Sequence, residues 1–192
     1  MVDVRIHGRG GQGVVTTAEV LALACFVEGR HAQAVPSFGS ERTGAPVAAF
    51  VRVSDQPIRS HDPVEEPDIV VVQDATLLSL PSVVAGLRPG GRLLVNTHRS
   101  LPAAVLAATA GRTVTTVSAS AIATRCVGRD VPGPAMLGAL AAVTGVVLVD
   151  SVIAAVQDRL AGRSTAGNVA AVTEAFETTL AAVGGEARAS AT

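Results

Sequence analysis

Asp3-Val4-Arg5-Ile6-His7-Gly8-Arg9-Gly10-Gly11-Gln12-Gly13-Val14-Val15-Thr16 is the stretch on which the fold turns. Residues 3–7 alternate polar and apolar side chains as a short strand does, and residues 8–13 form a loop of four glycines. Val14, Ala18, Leu21, Ala22 and Cys25 then recur at helical spacing, with Gly29 placed to end the helix. A strand, a glycine loop and a helix in that order make the opening unit of an α/β domain.

The same logic extends outward. Residues 31–35 read as a second strand, and residues 36–46 as a loop of turn formers that carries both charge signs. Residues 47–53 and 58–60 flank Ser54-Asp55-Gln56-Pro57 and suggest a hairpin, which would make part of the sheet antiparallel. The continuous apolar runs 69–72 and 93–96 have the look of strands covered on both faces. Helices are expected over 76–87, interrupted by Pro81, and over 101–110; a strand over 114–117 and a helix over 119–127 follow. From residue 135 onward the chain reads as helical, with a break near 162–165. The expected architecture is one three-layer, Rossmann-like α/β domain over residues 1–183, with a mixed, mostly parallel sheet and a helical C-terminal portion. Residues 184–192 are expected as a flexible tail.

Composition narrows the function. In 192 residues, 15 basic and 16 acidic side chains give a net charge of -1, which removes the electrostatic case for nucleic acid or an acidic membrane. Every basic residue is Arg, so neither a Schiff-base lysine nor a lysine-bearing phosphate loop is available. Without Trp or Tyr, stacking platforms have almost no material. Cys25 and Cys126 lie far apart, so neither a zinc site nor an iron-sulfur cluster can be built within the chain and no metal ligand is assigned. His7, His31, His61 and His98 are scattered, and no nucleophile-elbow serine exists, so no catalytic residue is assigned either. The N-terminal residues lack the flank, apolar stretch and cleavage site of a secretory signal, and the chain reads as cytoplasmic. Residues 131–149 carry no charge, but Pro132 and Pro134 leave a helix from about 135 to 149, short of the ~20 residues of a membrane span. That helix is expected to be buried in protein, either in the core or against a partner.

The glycine loop admits two readings. Gly8, Arg9, Gly10, Gly11, Gln12 and Gly13 fit G-x-G-x-x-G between a strand and a helix, where free N–H groups and the helix dipole favour a phosphate. The alternative is a tight turn that only packs. A dinucleotide would also need an acidic side chain about 20 residues on; His31 and Gln33 stand there instead, with Glu28 too early and Glu41 too late. In the second loop Ser37, Phe38, Glu41 and Arg42 are candidates for a face toward a substrate or partner. One alternative for these features is a nucleotide- or phosphate-binding structural module of another multi-subunit assembly.

Four blocks in the same order add a resemblance. The segment from His7 to Thr16, the segment Gln33-Ala34-Val35-Pro36-Ser37-Phe38-Gly39-Ser40-Glu41-Arg42-Thr43-Gly44-Ala45-Pro46-Val47, then Pro67-Asp68-Ile69-Val70-Val71-Val72-Gln73-Asp74, and Ala135-Met136-Leu137-Gly138-Ala139 resemble the gamma subunit of 2-oxoacid:ferredoxin oxidoreductases of the pyruvate and ketoisovalerate type. The likeness spans the first strand to about residue 175. It implies a non-cofactor subunit of a thiamine-diphosphate-dependent enzyme that oxidatively decarboxylates a 2-oxoacid such as pyruvate to acyl-CoA and CO2 while reducing ferredoxin. It further implies that thiamine diphosphate, Mg2+ and [4Fe-4S] clusters sit in alpha, beta and ferredoxin-like delta subunits, separate or fused. Coenzyme A is then the co-substrate of the complex, and the glycine loop is the natural place to meet one of its phosphates. The chain departs from the family's pattern at Thr43, often a basic residue, and at Gly133-Pro134, where an Asn commonly precedes the Met-Leu-Gly-Ala block.

Overall fold

The computed structural model describes residues 1–36, 43–60, 62–162 and 164–189. Its six strands are β1 (Val2–Arg9), β2 (His31–Pro36), β3 (Pro46–Ser54), β4 (Ile69–Val72), β5 (Arg92–Asn96) and β6 (Thr113–Val117). They form one sheet in the order β2-β3-β1-β4-β5-β6. β1, β4, β5 and β6 run parallel, while β3 lies antiparallel to both β1 and β2. The mixed sheet expected from the sequence is therefore present, but its antiparallel part differs. Residues 58–60 form no strand: both edges of β3 are already taken by β1 and β2, so a third strand has nowhere to pair.

The two faces of the sheet are covered unequally. Val4 and Ile6 of β1, Val51 and Val53 of β3 and Val71 of β4 point into a large core with helices α1 (Val14–Val27), α3 (Ala119–Val127), α4 (Gly133–Thr144), α5 (Val149–Arg159) and α6 (Thr165–Ala189). On the other face Val70, Val72, Leu93 and Val95 meet a thinner layer, made of two 3₁₀ turns (Ala75–Ser79 and Pro81–Val83) and the short helix α2 (Ala103–Ala108). All four residues of β4 are buried, as expected for a parallel strand with layers on both sides. The helix expected over 76–87 is replaced by the 3₁₀ turns. Asp74 opens the first by accepting from Thr76 N at 3.0 Å, and Leu80, extended before Pro81, ends it.

Beneath the thin layer β1 is polar yet nearly buried. Asp3 pairs with Arg52 at 3.2 Å, and the Arg5 guanidinium donates to the carbonyls of Glu65, Val83 and Ala85. Each buried charge is thus given partners.

The helical C-terminal portion consists of three helices. The first ends at Thr144 instead of continuing to residue 149, because Gly145 takes φ 62°, the left-handed conformation that closes a helix. α4 is buried from Ala135 to Ala141 and packs on α1, α3, α5 and α6, so it belongs to the core of this chain. A side chain at Gly138 would stand 2.1 Å from the Val172 carbonyl oxygen, which shows how closely α4 and α6 approach. α6 runs to Ala189, into the stretch expected as a tail; residues 190–192 lie outside the described residues. Among the described residues no helix is long and apolar enough to cross a membrane.

Candidate functional site

The chain leaves β1 toward α1 on one face of the sheet and leaves β4 toward the 3₁₀ turns on the other. Adjacent parallel strands whose connections depart in opposite directions open a crevice at their carboxyl ends, and this is where α/β proteins place ligands. The glycine loop forms one wall of that crevice. Gly10 N donates to Ala45 O at 2.9 Å and Gly44 N to Gly10 O at 3.0 Å, so the segment after residue 42 is stitched to the loop.

β1 extends through Gly8 and Arg9, two residues further than the sequence suggests, because both pair with the start of β3, and Arg9 at its end is a structural hub. Its Nε donates to Asp74 Oδ2 at 3.0 Å, and its two amino groups donate to Gly44 O at 3.0 Å and Thr76 Oγ1 at 2.7 Å. Gln12 closes the loop on itself: Oε1 accepts from Arg9 N at 2.7 Å while Nε2 donates to Asp74 Oδ2 at 3.3 Å. Burial pushes the Asp74 carboxyl up. Hydrogen bonds from the side chain and backbone of Thr76, the Arg9 charge and the Gln12 amide outweigh that and hold it below its ordinary value. Asp74 therefore stays ionised as the anchor of the loop.

Behind the loop, Gln73 Nε2 donates to Thr17 Oγ1 at 2.8 Å, and Thr17 Oγ1 donates to Gly13 O at 2.9 Å. There is no room for side chains here. A Cβ on Gly8 would lie 2.5 Å from Val14 Cγ2, and one on Gly133 would lie 2.3 Å from Thr17 Oγ1. At the helix start, Gly13 takes φ 71° and offers no side-chain cap, and the first turn of α1 carries no acidic residue. The N–H groups of Val14, Val15 and Thr16 have no acceptor among the described residues, so the positive end of the α1 dipole is left open. These N–H groups border a cavity of about 380 Å³, lined also by Arg9, Gly10, Gly11 and Thr43. Its chemistry suits an anion bound by backbone amides.

The structure thus brings Gly8, Arg9, Gly10, Gly11, Gln12 and Gly13 together at the crevice. Ser37, Phe38, Glu41 and Arg42 lie outside the described residues, as does His61. Sequence reasoning missed Asp74, Thr76, Gln73 and Thr17. Asp74 and Gln73 follow β4 directly, and the rule that ligands gather at strand carboxyl ends is the one signal that could have found them. Among the described residues no group of three His, Cys, Asp or Glu side chains could hold a metal ion. Burial raises the Cys25 thiol to about 11, with Arg30 pulling down and Glu28 pushing up, which keeps it protonated and a poor ligand.

Comparison with known proteins gives a consistent result. The family model described as "Pyruvate ferredoxin/flavodoxin oxidoreductase" matches residues 3–178. The pyruvate/ketoisovalerate oxidoreductases common subunit gamma of Thermococcus litoralis is 44% identical over 182 residues, covering 94% of this chain and 98% of that one. Pyruvate synthase subunit PorC of Methanothermobacter marburgensis is 42% identical over 177 residues, covering 92% and 97%. Among solved structures, the pyruvate oxidoreductase subunit PORC of Thermotoga maritima superposes with a TM-score of 0.80 at 36% identity, covering 92% of this chain and 95% of that one.

Proposed function

Since the chain belongs to the pyruvate ferredoxin/flavodoxin oxidoreductase family and is a gamma, PorC-type subunit of a pyruvate/2-oxoacid oxidoreductase complex, we propose that it serves that complex by binding coenzyme A through the glycine loop. In this reading alpha, beta and ferredoxin-like delta subunits, separate or fused, hold thiamine diphosphate, Mg2+ and [4Fe-4S] clusters. Those groups supply the decarboxylation and the path of electrons to ferredoxin in the cytoplasm. The residues of this chain bind and orient.

The observation that carries the reading is the open first turn of α1 beside the cavity of about 380 Å³. Three backbone N–H groups and an uncompensated helix dipole would receive one phosphate of coenzyme A. Gly11 and Gly13 leave the approach free of side chains. Arg9 contributes in two ways. Its Nε and one hydrogen on each amino group hold Asp74, Gly44 and Thr76 and so fix the loop, and its positive charge stays at the mouth, where its side chain is 35% exposed.

Steady-state kinetics of the assembled complex tests this. Arg9→Ala should raise KM for coenzyme A about tenfold, the order expected when a hydrogen-bonded charge worth ~1.5–3 kcal/mol is lost. KM for the 2-oxoacid should stay unchanged. Equal KM values for coenzyme A in the two enzymes would remove the loop from its binding.

A further inference from the structure

A second hollow adjoins the glycine loop, between α1, α4, α5 and α6, with a volume of about 210 Å³. Its floor is aliphatic: Val20 of α1, Leu137 of α4, and Val156 and Leu160 at the end of α5. Its polar groups are of one kind of charge. Arg129 borders it and makes no ion pair among the described residues, and none of the lining residues is acidic. Three helices present their N-terminal turns to it, through Thr16 and Thr17 of α1, Gly133 and Pro134 of α4, and Asn168 of α6, against the single C-terminal end of α5. The summed dipoles favour negative charge.

Asn168 gives the independent indication of a ligand. It is only 7% exposed, and among the described residues its carboxamide makes no hydrogen bond. An amide that lines a cavity with its donor and acceptor both unused is placed for something that enters it. We propose that this hollow is a binding site for a short aliphatic carboxylate. The acid group is held by the Asn168 amide and Arg129, and the hydrocarbon tail lies on Val20, Leu137, Val156 and Leu160. The volume sets the class. It is below the ~300–1,000 Å³ of sites that enclose drug-sized molecules, so a whole nucleotide or coenzyme A does not fit within it. The hollow shares Gly11, Gly13 and Thr16 with the cavity of the phosphate reading, but Arg129, Asn168 and the aliphatic floor line it alone.

Titration of the full chain, carrying 13C-labelled Val and Leu methyl groups, with isovalerate tests the proposal. Saturable shifts are expected at Val20, Leu137, Val156 and Leu160. Arg129→Gln, at an exposed position, should weaken binding at least tenfold, and Asn168→Leu should do the same. 3-Methylbutan-1-ol, with the same tail and no charge, should bind at least tenfold more weakly than isovalerate. Titration with 2-oxoisovalerate separates two sources of the carboxylate, tighter binding marking a 2-oxoacid and equal or weaker binding a simple acid; either pattern satisfies the proposal. Absence of saturable shifts, equal binding of the alcohol, or an Arg129→Gln affinity matching the wild type would overturn it.

Discussion

His7 shows at the scale of one residue how the site's surroundings constrain chemistry. It lies in β1 just before the glycine loop, its Nε2 is enclosed without a hydrogen bond, and burial first, then the charge of Arg5, lower its pKa to about 4. The folded state therefore holds a neutral imidazole, which does not act as an acid near neutrality. Because the folded pKa lies below the unfolded ~6.5, the unfolded chain binds more protons between those values, and stability falls as pH drops through that window. Urea unfolding should show the wild type losing about 2 kcal/mol more than His7→Leu between pH 7.5 and pH 5. Identical losses in the two proteins would mean that His7 titrates freely. The histidine's position beside the loop was legible in the sequence, as was the loop itself, because strand, glycines and helix are contiguous. The Arg9–Asp74 pair was not, since the partner stands just past β4, 65 residues away, and nothing local marks it.

Among the elements, α4 carries the packing. Its apolar circumference predicts burial, and the structure resolves core against partner interface by surrounding it with four helices of the same chain. Gly138 permits the closest approach, so Gly138→Ala forces a methyl group into the Val172 carbonyl. Overpacking of this kind costs ~1–3 kcal/mol, and contact with rigid backbone belongs at the upper end or beyond. Thermal unfolding of Gly138→Ala should fall well below the wild type; an unchanged midpoint would show that α6 yields easily. Sequence periodicity gave the helices but not all their limits. One continuous apolar run hides the stop at Gly145, since only the backbone conformation there ends the helix. The misplaced hairpin has a similar origin, because strand partners depend on which edges the rest of the sheet leaves open.

At the scale of the whole molecule, the chain has a crevice, an open helix start and buried polar struts, but the described residues contain no metal-binding cluster. On the function proposed above, a subunit of this form holds a ligand while its companions supply the chemistry. The resemblance read from four sequence blocks agrees with relatives that match over nine-tenths of the chain. The most direct test is pyruvate oxidation measured on the purified chain alone and on the chain co-expressed with thiamine- and cluster-bearing subunits. No turnover is expected from the chain alone, and coenzyme A-dependent turnover from an isolable complex that contains it. Turnover of pyruvate by the isolated chain, or an equally active complex lacking it, would contradict the account.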